Sequence, residues 1–325
     1  MRRSLFLMVV GTTIFLSLML ATGAAGAEEL PGSDVYVIGQ HAYVAAGTSG
    51  LIVVDIRPAN PKQVAAVQTP GAANGVFAIS SFAYVAVGSA GLQVIDIRKP
   101  VSPKILGSID TPGDARNVYV FGDYACVADA RAGLQVINIR DATRPQREAS
   151  IALPGEAHSV YVTGDYAYVA AGRGGLQIVN LQRPARPQLV ATVKAPIDAR
   201  AVHVISDYAY VADYLGGIYA IDVSNPSRPR VAASVDTPGE AQGIYHLYDL
   251  LVVADGSRGL QLINIRDPKS LQIIAAYDTP GDARNVYGLA NTFYVAGLGF
   301  GFGVFDVINR ARLNTPGKFL VNLDR

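Results

Sequence analysis

The chain of 325 residues has no tryptophan, one cysteine and four histidines. With Cys126 alone, no intramolecular disulfide can form, so stability must come from buried apolar surface. Four histidines are too few for a histidine metal cage, and no Ser, His and Asp set stands out as catalytic machinery. A dominant charge is missing too: 27 basic residues face 26 acidic ones, which gives no overall field for nucleic acid or an anionic membrane. Helical spacing of apolar residues is absent from the body of the chain, which excludes helical repeats.

What the chain does have is a period. Pro70, Pro112, Pro154, Pro196, Pro238 and Pro280 stand 42 residues apart, and all but one are followed by glycine, the exception being Ile197. Asp96, Asn138, Asn180, Asp222, Asn264 and Asp306 keep the same spacing, and Asp55 sits one residue out of step. These positions mark seven units, the first beginning at Pro31, and a fixed period of this length signals a repeat architecture.

One unit contains four apolar segments of strand length, at residues 116–121, 124–128, 134–139 and 147–151, separated by Gly, Asp, Asn or Pro turn signals. Val, Ile and Tyr dominate them, so each unit reads as a four-stranded antiparallel meander. The third segment is apolar on both faces: Leu134, Val136, Ile137 and Ile139, like Leu92, Val94, Ile95 and Ile97 before it. Such a strand must be covered on both sides, and radial stacking of sheets does that. The fold class expected is all-β, a seven-bladed β-propeller, with a linear solenoid as the rival whose coils are usually shorter.

Residues 1–27 stand apart. Arg2 and Arg3, the apolar run from Leu5 to Leu20, and Ala25-Gly26-Ala27 form the pattern of a secretory signal peptide cut after Ala27, leaving residues 28–325 as one propeller domain. An uncleaved membrane anchor is the alternative, since the run approaches the length of a span. The strongly apolar run favours the general secretory route over the twin-arginine one, and no cysteine follows it to carry a lipid. Without Arg2 and Arg3 the basic count falls from 27 to 25 against 26 acids, a net charge of about −1. The expected location is the periplasm, the cell surface or the exterior.

Leu51-Ile52-Val53-Val54-Asp55 and Leu92-Gln93-Val94-Ile95-Asp96, with Ile56-Arg57-Pro58 before Pro61, Asn225-Pro226 before Pro229, and Tyr-Ala-Tyr-Val-Ala at Tyr166 and Tyr208, resemble the LVIVD-repeat family over residues 31–310. The resemblance implies an exported or surface-associated propeller and no catalytic residue. The residues themselves suggest turn chemistry: Asp or Asn after the third strand can accept backbone N–H bonds, and Pro100, Pro103, Pro226 and Pro229 stiffen the crossing to the outer strand. Cys126 takes a place held by Tyr84, Tyr168, Tyr210 and Tyr294, and His203 one held by Tyr161 and Tyr245, so both read as packing residues. Gly297, Gly299, Gly301 and Gly303 lack nucleotide-loop spacing and read as strand, hairpin and strand.

Function is expected where the turns meet the axis. Two residues after each proline stand Ala72, Asp114, Glu156, Asp198, Glu240 and Asp282; four after stand Asn74, Arg116, His158, Arg200, Gln242 and Arg284. Asp129, Arg131, Arg173, Asp213 and Arg258 in adjacent turns join them on the same face. Such rings can take a carboxylate or phosphate, or pair internally. The expected function is a non-enzymatic scaffold for a protein or polysaccharide partner, acting as a monomer without cofactor or metal. A hydrolase or lyase in the axial funnel and a purely structural module are the alternatives.

Overall fold

The computed structural model describes residues 33–57, 61–290 and 292–306. Six four-stranded antiparallel sheets cover residues 34–67, 75–109, 117–151, 159–193, 199–235 and 243–277, and a three-stranded sheet covers 282–306. Within each sheet the strands pair in chain order, so each is a meander, and the seven sheets are the blades of a propeller. Among the described residues there is no helix. The expected signal peptide of residues 1–27 and the expected outer strand of blade seven at Phe319–Leu323 lie outside the described residues.

Blade three shows why the sequence folds this way. Its strands are Asn117–Phe121, Tyr124–Ala128, Leu134–Asn138 and Gln146–Ile151. The third strand is buried on both faces, with Leu134, Val136 and Ile137 fully covered. Leu134 and Val136 pack towards blade four, and Ile137 towards blade two. Each side chain so buried contributes roughly 1.5–3 kcal/mol. One apolar cluster fills every gap between neighbouring blades, including that between blades seven and one.

The outer strand pairs with the third through a β-bulge in each of the first six blades, as at Val136/Ile137. The bulge twists the outermost edge and discourages pairing with other chains. Cys126 is fully buried between blades three and four, and burial pushes its thiol pKa up, so it is a packing residue. The turn role of Asp and Asn holds in six blades: the amides of Arg57, Arg98, Arg140, Gln182, Ser224 and Arg266 donate to Asp55, Asp96, Asn138, Asn180, Asp222 and Asn264 at 2.8–3.1 Å.

Among the described residues, blades one and seven meet through side chains. Val35, Val37, Val44 and Ile52 of blade one pack on Tyr294, Ala296 and Phe302 of blade seven. Asn285 Nδ2 donates to Asp34 Oδ1 across the same seam. The glycine-rich stretch forms strands Thr292–Leu298 and Gly301–Asp306, and Phe300 in their turn lies so close to Gly297 that a Cβ there would meet its ring at 2.3 Å.

Candidate functional site

The first strand of each blade lines the axis, and the 42-residue period stacks equivalent positions into layers. At the mouth, Ser33, Asn74, Arg116, His158, Arg200, Gln242 and Arg284 surround a cavity of about 460 Å³. One residue further in, Asp34, Asn117, Ser159 and Asn285 add polar groups. Below them a cavity of about 350 Å³ is ringed by aromatic side chains. Tyr36, Phe77, Tyr119, Tyr161, His203, Tyr245 and Tyr287 form a closed circle, each ring centroid 4.5–6.0 Å from the next. His203 is a member of that circle, as its place in the repeat predicts, and burial lowers its pKa to about 3.

The local chain path explains the mouth. In blades one to four and six, the turn between second and third strands bridges the residue entering the next blade, as in Ala157 N to Ala130 O at 2.9 Å. This staple brings the proline-linked segment over the end of the sheet. The glycine after the proline is needed there: a Cβ on Gly113 would meet Asp129 O at 2.2 Å.

The expected guanidiniums do converge. Arg116 donates from Nη2 to Glu156 Oε2 at 3.1 Å and places Nη1 2.8 Å from His158 Nδ1, with Asp114 3.5 Å from its Nε. Arg131 Nε closes on the other Glu156 oxygen at 2.8 Å. Those two cations hold the Glu156 pKa low, while burial and the neighbouring Arg116 and Arg200 lower His158 to about 4, leaving it neutral. Arg200 pairs with Asp198 at 2.8 Å; Arg284 donates to Gln242 Oε1 at 2.6 Å and lies 3.8 Å from Asp282. Glu240 bonds the Tyr214 hydroxyl. Of the acidic residues expected, Asp114 lines the cavity and the others brace the arginines or Tyr214.

Two turn residues expected on that face belong to the framework instead. Asp129 is fully buried and accepts from Thr111 Oγ1 at 2.8 Å and Gly113 N at 3.0 Å. Asp213 is equally buried and accepts from Ile197 and Asp198 amides at 2.8 and 3.1 Å. The proline segment crosses directly above them, so short carboxylates there satisfy its amides.

Sequence reasoning missed Asp34. It is 6% exposed, and its carboxylate takes the amides of Val35 and Val76, both at 2.8 Å, besides Asn285. Burial outweighs those donors and raises its pKa to about 6. Four of the seven first strands carry a polar residue two before the aromatic, Asp34, Asn117, Ser159 and Asn285, which is too irregular a signal to single it out. Among the described residues no group of three or more His, Cys, Asp or Glu is placed to hold a metal ion.

Solved structures share the architecture at low identity. The WD40 β-propeller domain of Doa1 is 12% identical with TM-score 0.69, covering 87% of this chain and 94% of its own. The β-propeller domain of Myceliophteria thermophila Cps50 (Swd1) is 11% identical with TM-score 0.68, covering 86% and 97%. The computationally designed Ika8 protein is 8% identical with TM-score 0.65, covering 86% and 97%. At such identities these show the fold alone. No curated protein matches the chain. The LVIVD repeat model matches at residues 32–69, 70–111, 112–150, 154–195 and 197–237, most of the chain although short of blades six and seven. The chain therefore belongs to the LVIVD-repeat family.

Proposed function

We propose that the protein is an exported, non-enzymatic binding scaffold that holds a protein or polysaccharide partner on its axial face. The observation that carries this reading is the convergence of Arg116, Arg200 and Arg284 on the mouth of one 460 Å³ cavity. The size suits an ordinary ligand group, and guanidinium forks suit a carboxylate or phosphate. Export rests on the basic, apolar and small-residue segments of residues 1–27.

The test is capture of partners from the native envelope by the wild type and by the Arg116→Ala/Arg200→Ala/Arg284→Ala variant, with thermal melting to show that both are folded. Loss of the captured species in the triple variant is the expected result. Undiminished capture would move the binding surface to the sides of the blades.

A further inference from the structure

Blade five breaks the repeat at the mouth of the axial cavity. Where Gly47, Gly88, Ala130, Gly172 and Gly256 adopt positive φ between 47° and 58°, blade five carries Tyr214. A bulky side chain disfavours that conformation. The Tyr214 amide instead donates to Asp198 O at 3.0 Å within its own blade, and among the described residues no bridge staples blade five to blade six. The same blade replaces the glycine after the proline with Ile197.

The same blade leaves two aliphatic side chains in solvent, Ile197 59% and Leu215 69% exposed. Their amides share the Asp213 carboxylate, at 2.8 and 3.4 Å, which fixes them side by side. Beside them Arg200 lies over the Tyr214 ring, 4.8 Å from its centroid. Arg200 Nε, Gln242 Nε2 and Arg284 Nε are shielded donors with no acceptor. They belong to consecutive blades, five to seven. Arg116, by contrast, is engaged by Asp114, Glu156 and His158.

We propose that the arc from blade five to blade seven is a docking site for a protein segment that sets a carboxylate in the axial mouth and an apolar side chain over Ile197 and Leu215. This rests on the axial binding reading and deepens it. Buried donors without partners favour an acceptor of several hydrogen bonds, which a carboxylate is. The adjacent aliphatic pair selects a peptide over a polysaccharide, whose hydroxyls would lose water against it without gaining partners. Glu240, which faces the Tyr214 hydroxyl, is already held by it.

A displayed library of random short peptides, panned against the folded full chain, tests this. Selected peptides should carry an acidic residue beside an aliphatic or aromatic one. They should bind about tenfold weaker or worse to Gln242→Ala/Arg284→Ala and to Ile197→Ser/Leu215→Ser, and within about twofold of wild type to Val101→Ser at an exposed site elsewhere. Selection of acid-free peptides, or equal weakening by Val101→Ser, overturns the proposal. If the library yields no binder while envelope capture remains sensitive to the triple arginine variant, the peptide class falls and the axial reading stands. If peptides depend on the arc while envelope capture ignores the triple variant, the arc stands and the axial partner reading falls.

Discussion

His203 fills, in blade five, the place in the axial circle that tyrosine or phenylalanine takes in the other six. Burial, with His246 alongside, holds its pKa near 3, below the usual 6.5 of histidine, so the folded state keeps it neutral. A depressed histidine pKa contributes stability above the unfolded value, and that stability is lost as pH falls from 6.5 towards 3. His203→Tyr should therefore unfold at a temperature that drops less between about pH 7.5 and about pH 5 than the wild type's. Parallel drops in the two melting curves would clear His203 of the acid sensitivity. The packing role of this residue was legible because its neighbours in the repeat are aromatic. Asp34 was not legible, because its blade equivalents are Gly75, Ala201 and Gly243 as often as polar residues.

At the scale of the element, strand limits follow the apolar alternation closely, and the segment expected from Arg116 begins one residue later, at Asn117. The turns were harder to read, since their carboxylates serve two ends. Asp114 lines the axial cavity, whereas Asp129, one turn away, is buried beneath the proline segment. Blades three and six pair the buried acid with a threonine, as in Thr237 Oγ1 to Asp255 Oδ1 at 2.7 Å, while blade four puts Leu153 and Ala171 in the same two places. Asp129→Ala alone strands the Thr111 hydroxyl and the Gly113 amide and should cost roughly 1–3 kcal/mol, read as a lower urea midpoint at unchanged slope. Adding Thr111→Leu, which copies blade four, should recover part of that loss. A double variant no better than the single one would show that the two residues act independently.

For the whole molecule, the period alone was enough to give blade number and layering, because a sheet buried on both faces has to be flanked by copies of itself. What the period hides is the departure from it: the seam and blade five each depend on one or two residues that leave the pattern. The seam has its own pH signature. Burial raises the Asp34 pKa to about 6 when folded against the usual 3.8 of an aspartate, so its contribution is fullest below 3.8 and is lost as pH rises through 6. Measured against Asp34→Asn, the wild type should gain on the order of 3 kcal/mol of unfolding free energy between about pH 7 and about pH 3.5, and a constant difference across that range would refute the assignment.

The circle of rings around the axis has a consequence for how such a chain can grow or shrink. Each ring leans on its two neighbours at nearly one spacing, so losing or gaining a whole 42-residue copy would preserve every local contact and still change the circumference of the bore. The width of the bore is therefore set by the number of copies, and no single residue encodes it.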